Sequence, residues 1–185
     1  MTIRFGIVLI LNLYITRVIL RELGTDDFGI YNVVGGLVTL LAFVNTSMTN
    51  GIQRFYNTAI GQNDSRGIRS IYKSALKIQG LLAIIVLIAA ETAGVWYVGN
   101  QLVVPSGRET AAMWILQTSV LSFLLVIMQV PYSSIIIARE KMDFYALVSV
   151  ADALMKLGIV LLLPFLGGDH LIWYGILLAL IAMIN

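Results

Sequence analysis

Long uninterrupted apolar stretches are the feature that most constrains how this chain can fold. Several exceed the roughly 18–20 residues that an α-helix needs to cross a hydrocarbon core about 30 Å thick. The 185 residues are 59% hydrophobic and 12% charged, with a mean hydropathy of +0.91, whereas soluble domains are about a quarter charged. The stretches lack the strict polar and apolar alternation of lipid-facing barrel strands. An all-α membrane protein is therefore predicted.

Polar and turn-forming residues divide the chain into six predicted transmembrane helices that form one lobe, residues 1–185. The longest connection, from Gly51 to about Ser70, is predicted to be an amphipathic or interfacial segment. The last predicted helix has only about 16 residues and would span about 24 Å, so a C-terminally truncated chain is expected. The predicted helices lie near 3–21, 28–50, 71–98, 110–137, 143–166 and 170–185.

The distribution of Lys and Arg predicts a cytoplasmic N-terminus. With that orientation the outer loops hold only Arg21 and Arg108, and the inner loops hold a clear excess of basic residues. Cytoplasmic loops are enriched in these residues. Tryptophan favours membrane interfaces, and Trp96, Trp114 and Trp173 all fall at the predicted outer boundary. Both signals indicate a multi-pass protein of the plasma membrane.

Four ionisable residues fall at bilayer depth, where a charge is costly and is a functional-site hypothesis by default. Asp152 and Lys156 are four residues apart and share one helix face. Two interpretations stay open: they neutralise each other, or they line a hydrated cavity and respond to substrate, proton or sodium. Arg17 and Glu91 lie at similar depth and could pair between helices.

Two further groups lie toward the predicted inner side. Arg66, Arg69, Lys73 and Lys77 are spaced by three and four residues along one helix face. This basic stripe could serve the positive-inside bias and contact anionic lipid, or it could meet the phosphates of a lipid-linked substrate. The inner end of the second predicted helix is polar and could serve helix packing or contact sugar hydroxyls; its candidates are Asn45, Asn50, Gln53 and Arg54.

Several classes of function lack residues to support them. The sequence has no cysteine, no HExxH or GxSxG motif and no phosphate-binding glycine loop, and His170 is predicted to be a solvated loop residue. No enzyme activity, cofactor or metal is predicted. The net charge of +2 is too small to indicate nucleic-acid binding.

A series of short motifs resembles the polysaccharide-flippase proteins of the multidrug, oligosaccharidyl-lipid and polysaccharide exporter superfamily. That superfamily includes Wzx-type O-antigen flippases and MATE efflux proteins. The similarity is closest to bacterial proteins of lipopolysaccharide or polysaccharide biosynthesis, and it extends over essentially the whole chain. The motifs are Arg17 to Gly24, Asp27 to Gly36, Gln53 to Phe55, Ala90 to Thr92, Met128 to Tyr132, and Lys156 with Leu157.

The resemblance implies a MATE-like fold of two similar six-helix lobes around a central cavity, with this chain as one lobe and the C-terminal lobe as its partner. It implies transport of an undecaprenyl-pyrophosphate-linked saccharide across the bacterial inner membrane. The residues it suggests for the anionic substrate are Arg17 and Arg54. Three alternatives stay open: a cation-coupled multidrug exporter, with Glu91 and Asp152 as its acids; a membrane-embedded transferase of envelope assembly; and a non-functional fragment.

Overall fold

The protein, described by a computed structural model over residues 2–40, 42–105 and 107–184, is a bundle of helices. No β-strand occurs in these residues, so the prediction of an all-α fold is confirmed for them. The helices are α1 (Thr2–Leu40), α2 (Ala42–Gly61), α3 (Ser65–Ala89), α4 (Val95–Asn100), α5 (Glu109–Ala138), α6 (Met142–Leu162) and α7 (His170–Ile184), with a π-helical turn at Ala90–Gly94 and a 3₁₀ turn at Leu163–Phe165.

Gly24 divides α1 into two helical segments. Its φ of 77° and ψ of 176° are non-helical, and a positive φ is accessible to glycine because it has no Cβ. Residues on both sides of the break, including Ile19 and Ile30, pack into the same apolar core. The break therefore falls at the boundary that the sequence predicts between the first two helices.

The connection predicted as an amphipathic or interfacial segment is mostly helical. α2 continues to Gly61, and α3 begins at Ser65. Asp64 starts α3 because its side chain accepts hydrogen bonds from the backbone N–H groups of Arg66 and Gly67, which have no partner within the helix. A short turn thus replaces the long predicted connection.

Three stretches of helix are long and apolar enough to cross a membrane, judged by length and composition. They are Ser65–Asn100, Glu109–Ala138 and Asp143–Phe165, and His170–Ile184 is a shorter apolar helix. The prediction of six spans is thus met in part by the described residues. The final predicted helix, 170–185, is helical to Ile184, and Asn185 lies outside the described residues.

The connections gather at two opposite ends of the bundle. Arg108, before α5, contacts Asp27 near the break in α1 and Asp169 before α7. At the other end, Arg139 and Lys141 of the α5–α6 connection line one hollow with residues of the α2–α3 turn. We call these the Arg108 end and the Arg139 end. Their separation means that successive long helical stretches run in alternating directions.

Helices α5 and α7 approach each other closely and make the most extensive contact between helices among the described residues. A Cβ atom built on Gly175 would lie 2.4 Å from the Thr118 hydroxyl oxygen and 2.9 Å from Ile115 Cδ1. Only glycine fits at this distance. The approach places α7 beside the middle of α5, where the polar residues described next lie.

Candidate functional site

A cavity whose apolar walls also hold several polar side chains, called here the polar cavity, lies between the second segment of α1 and helices α5, α6 and α7. Its volume is about 410 Å³, within the range of about 300–1,000 Å³ typical of small-molecule sites. The walls combine apolar residues such as Phe123 and Val126 with small residues such as Gly35 and Gly36. The polar side chains that line it are those of Tyr31, Asn32, Ser119, Ser122, Gln129, Asp152 and Lys156.

Asp152 and Lys156 form an ion pair in the wall of this cavity. The Lys156 Nζ atom donates to Asp152 Oδ2 at 2.8 Å, and the two side chains are 40% and 25% exposed, in the order Lys156 and Asp152. The i, i+4 spacing on α6 brings them together within one turn. The two interpretations of the sequence are thus compatible: the residues pair with each other and also face a cavity. A charged or polar ligand entering it would meet both signs of charge on one wall.

Hydrogen bonds to the backbone orient two amide side chains at the cavity. Gln129 Nε2 donates to the carbonyl of Ala182 on α7 at 2.8 Å, and Asn32 Nδ2 donates to the carbonyl of Phe28 at 2.8 Å. An amide group has two donors and an oxygen acceptor. Each side chain therefore keeps hydrogen-bonding capacity beyond the one bond that orients it. The Tyr31 ring packs edge-to-face on Tyr174, with centroids 5.1 Å apart, which fixes a third polar side chain of the wall.

A second constellation, the ion-pair cluster at the Arg108 end, joins residues from three connections. Arg108 Nη2 lies 2.8 Å from Asp27 Oδ2, and Arg108 Nη1 lies 2.5 Å from Asp169 Oδ2. Asp169 Oδ1 also accepts the backbone N–H of Leu171 at the start of α7. His170, predicted to be solvated, is half-buried, with its Nδ1 atom 3.4 Å from the carbonyl oxygen of Glu22.

Asp27 is the most buried member of the ion-pair cluster, at 3% exposure. Its Oδ1 atom is buried without a hydrogen-bond partner among the described residues. Burial raises the pKa of Asp27 above its usual value, Arg108 opposes that shift, and Asp169 adds to it. Sequence reasoning missed this cluster. The sequence did contain a signal for it. Helices that alternate in direction bring every second connection to the same end, and each of these three connections contains a charged residue.

Arg17 and Glu91, the other two ionisable residues predicted at bilayer depth, do not contact each other. Arg17 and Glu91 are both exposed, and no ion pair joins them in the part of the chain that the structure describes. Glu91 instead lies in the π-helical turn of Ala90–Gly94. Such turns are rare and frequently occur at functional sites. The pairing suggested between these two residues is therefore absent from this arrangement.

The polar candidates of the second predicted helix lie on α2 and do not line the cavity. Arg54 and Asn50 are exposed, and Gln53 is half-buried. The Oδ1 atom of Asn45 is buried and has no hydrogen-bond partner among the described residues. Ser134 of α5 donates to the carbonyl of Thr49 at 3.3 Å. This hydrogen bond favours the helix-packing interpretation for that part of α2.

The basic stripe is exposed over its whole length on α3, at Arg66, Arg69, Lys73 and Lys77. Beside its start, a shallow hollow of about 460 Å³ is lined by Arg139 and Lys141 together with Asn63 and Ser65. The Arg139 end thus presents basic side chains to its surroundings. In a membrane, such a surface would contact anionic head groups.

Comparisons with known protein families, curated proteins and solved structures found no match. The described residues also contain no group of three or more His, Cys, Asp or Glu side chains that could hold a metal ion. The features that bear on function are therefore the cavity, the ion-pair cluster and the basic surface.

Proposed function

We propose that this chain is one lobe of a membrane flippase that moves a lipid-linked saccharide precursor across the bacterial inner membrane. In this proposal the six predicted spans form the lobe, the Arg139 end is cytoplasmic and the Arg108 end faces outward. A second lobe of the same protein completes the transport path. Two observations support the proposal: three helices are long enough to cross a membrane, and the sequence motifs resemble those of polysaccharide flippases.

The observation that carries the proposal is the polar cavity in the middle of the bundle. Hydroxyl, amide and charged groups converge there between helices that are otherwise apolar. A buried polar group without a partner is costly in hydrocarbon, so a cavity with this lining is suited to a hydrated or hydroxyl-rich ligand. Saccharides have many hydroxyl groups, and amide and carboxylate side chains such as those of Asn32, Gln129 and Asp152 can bond them.

The charged residues receive separate roles in this proposal. Asp152 and Lys156 respond to the substrate or to the coupling ion, because their pair lines the cavity. Arg17, Arg54 and Glu91 are exposed on the lobe and would face the second lobe or the substrate between the lobes. The basic stripe at the Arg139 end would gather the anionic lipid carrier at the cytoplasmic surface.

Transport by the protein reconstituted in liposomes tests the proposal. A fluorescent lipid-linked oligosaccharide on one leaflet becomes accessible to a membrane-impermeant quencher or hydrolase after flipping. We expect Lys156→Met and Gln129→Leu to reduce the flipping rate at least tenfold, because each removes a polar group from the cavity. Arg21→Met is the control, since Arg21 is exposed at the Arg108 end and does not line the cavity.

The same vesicles separate the flippase from its main alternative, a cation-coupled multidrug exporter. Asp152 favours that alternative, because an acid in a cavity that Tyr31 and Phe123 also line suits a cationic drug. Efflux of an organic cation that is lost in Asp152→Asn, together with saccharide flipping equal to that of empty liposomes, would replace the flippase with the exporter. Circular dichroism and size-exclusion profiles equal to those of the parent would show that the variants fold.

A further inference from the structure

Three connections of the chain meet at one buried carboxyl group. Asp27 follows the break in α1, and through Arg108 it is joined to the α4–α5 connection and, at Asp169, to the α6–α7 connection. We propose that Asp27 is a proton-binding site, and that its proton keeps the three connections at the Arg108 end together. This inference concerns proton binding and is independent of which substrate the cavity takes.

The ionised form of Asp27 has too few hydrogen-bond donors around its buried negative charge. The side chain is 3% exposed, and only its Oδ2 atom contacts a donor, the Arg108 guanidinium. The Oδ1 atom is buried without a hydrogen-bond partner among the described residues. A buried carboxylate needs several donors to offset the loss of hydration. The neutral, protonated form avoids most of that cost.

The charges that face Asp27 come from each surrounding connection. Arg108 is the positive group, but it is shared with Asp169, so one guanidinium serves two carboxylates. Asp26 is adjacent on the same segment and adds negative charge, and His170 adds positive charge at the start of α7. Burial makes the largest contribution and raises the pKa of Asp27 above 3.8; Arg108 and His170 lower it, and Asp169 and Asp26 raise it.

The direction of this shift fixes the sign of the coupling. We call the arrangement in which the three connections are in contact the closed arrangement. In it, Asp27 holds a proton more tightly than it would if exposed to water. By linkage, a state that binds the proton more tightly is favoured as the pH falls. Protons therefore favour the closed Arg108 end, and loss of the proton favours separation of the connections. A motion that exposes the protonated Asp27 would favour release of its proton at that end of the bundle.

Distances between spin labels on two of the connections test this coupling. The sequence has no cysteine, so Thr25→Cys and Val103→Cys provide two unique labels at exposed positions of the α1 break and the α4–α5 connection. Distances are measured by pulsed electron resonance in lipid nanodiscs without substrate between pH 4 and 8. We expect one short distance at acidic pH and a growing longer-distance population as the pH rises.

Asp27→Asn mimics the protonated side chain, so we expect it to keep the short distance at every pH. Asp26→Asn is the matched control, because Asp26 is exposed and makes no contact with Arg108 within ion-pair distance; it should retain a pH response. A distance in the labelled parent that is unchanged by pH, or an Asp27→Asn variant that responds as the parent does, would overturn the proposal.

Two neighbouring variants test whether Asp27 is the group that titrates. Asp169→Asn removes a negative charge and leaves Arg108 to Asp27 alone, so the transition midpoint should move to lower pH. His170→Gln removes an opposing positive charge and should move the midpoint to higher pH. A response that disappears in His170→Gln would assign the titration to the histidine and overturn the assignment to Asp27. These variants keep the Asp27 side chain, which makes the test independent of the folding of Asp27→Asn.

Discussion

The two ends of the bundle hold their connections together by different means. At the Arg108 end, a guanidinium contacts two carboxylates from different connections, one of them buried. At the Arg139 end, basic side chains are exposed, and the described contacts between elements are neutral: Tyr72 and Tyr132 share a hydrogen bond of 2.5 Å. Ion pairing therefore allows a charged group to be buried at the Arg108 end, whereas the basic side chains of the Arg139 end stay at the surface.

The number of basic residues at an end of the bundle does not indicate how much charge contributes to stability there. The Arg139 end has more basic residues, but exposed charges contribute little to folding, typically below about 1 kcal/mol per pair. At the Arg108 end, removal of Arg108 leaves the ionised form of Asp27 buried without its counter-ion. Such losses are typically about 3–5 kcal/mol. The following predictions test this contrast.

Arg108→Ala should have the largest effect. We expect the free energy of unfolding to fall by about 3 kcal/mol, at the lower part of the range for a broken buried pair, because the Arg108 side chain is 39% exposed. Unfolding by SDS in mixed micelles, followed by circular dichroism, measures the change. Arg21→Ala is the control at the same end, since Arg21 is 86% exposed and lies 3.8 Å from Glu22. An equal loss in both variants would contradict a special role for the buried pair.

Gly175→Ala should have the next largest effect. Its methyl group would lie 2.4 Å from the Thr118 hydroxyl oxygen, and overpacking of this kind typically costs about 1–3 kcal/mol. The same unfolding measurement applies. Gly80→Ala is the matched control, because a Cβ atom there would meet no heavy atom within 4 Å. That variant should gain up to about 1 kcal/mol from the better helix propensity of alanine, and a loss comparable with that of Gly175→Ala would be inconsistent with tight packing as the cause.

Tyr72→Phe should have a smaller effect at the Arg139 end. It removes one neutral hydrogen bond between α3 and α5, for which a loss of about 0.5–1 kcal/mol is typical. A double-mutant cycle with Tyr132→Phe isolates the interaction of the two hydroxyl groups. Additive effects of the two substitutions would argue that the bond does not hold this end together.

Arg139→Ala should have the smallest effect. Arg139 is exposed and forms no ion pair within 4.0 Å among the described residues, and surface substitutions usually change stability by less than about 0.5 kcal/mol. The unfolding measurement should therefore give a value close to that of the parent. A loss above 1 kcal/mol in Arg139→Ala would remove the contrast between the two ends.

Local features of the sequence predicted local structure well. The i, i+4 spacing of Asp152 and Lys156 anticipated their pairing, because neighbouring turns of one helix bring such residues together. Gly24 anticipated the break in α1, since glycine accommodates a positive φ. The helix ends beside the connection from Gly51 to Ser70 were predicted less well, because its polar composition suits both a connecting segment and helix ends on either side of an Asp64 cap.

Helix periodicity and hydropathy are local properties, so the amino-acid pattern alone predicted a helical, apolar chain with Asp152 and Lys156 on one helix face. Which distant residues meet depended on how the helices pack. The packing brought Asp27, Arg108 and Asp169 together and left Arg17 and Glu91 unpaired with each other. Such contacts depend on the rotation and depth of packed helices, and side-chain packing such as that of Gly175 against Thr118 sets both.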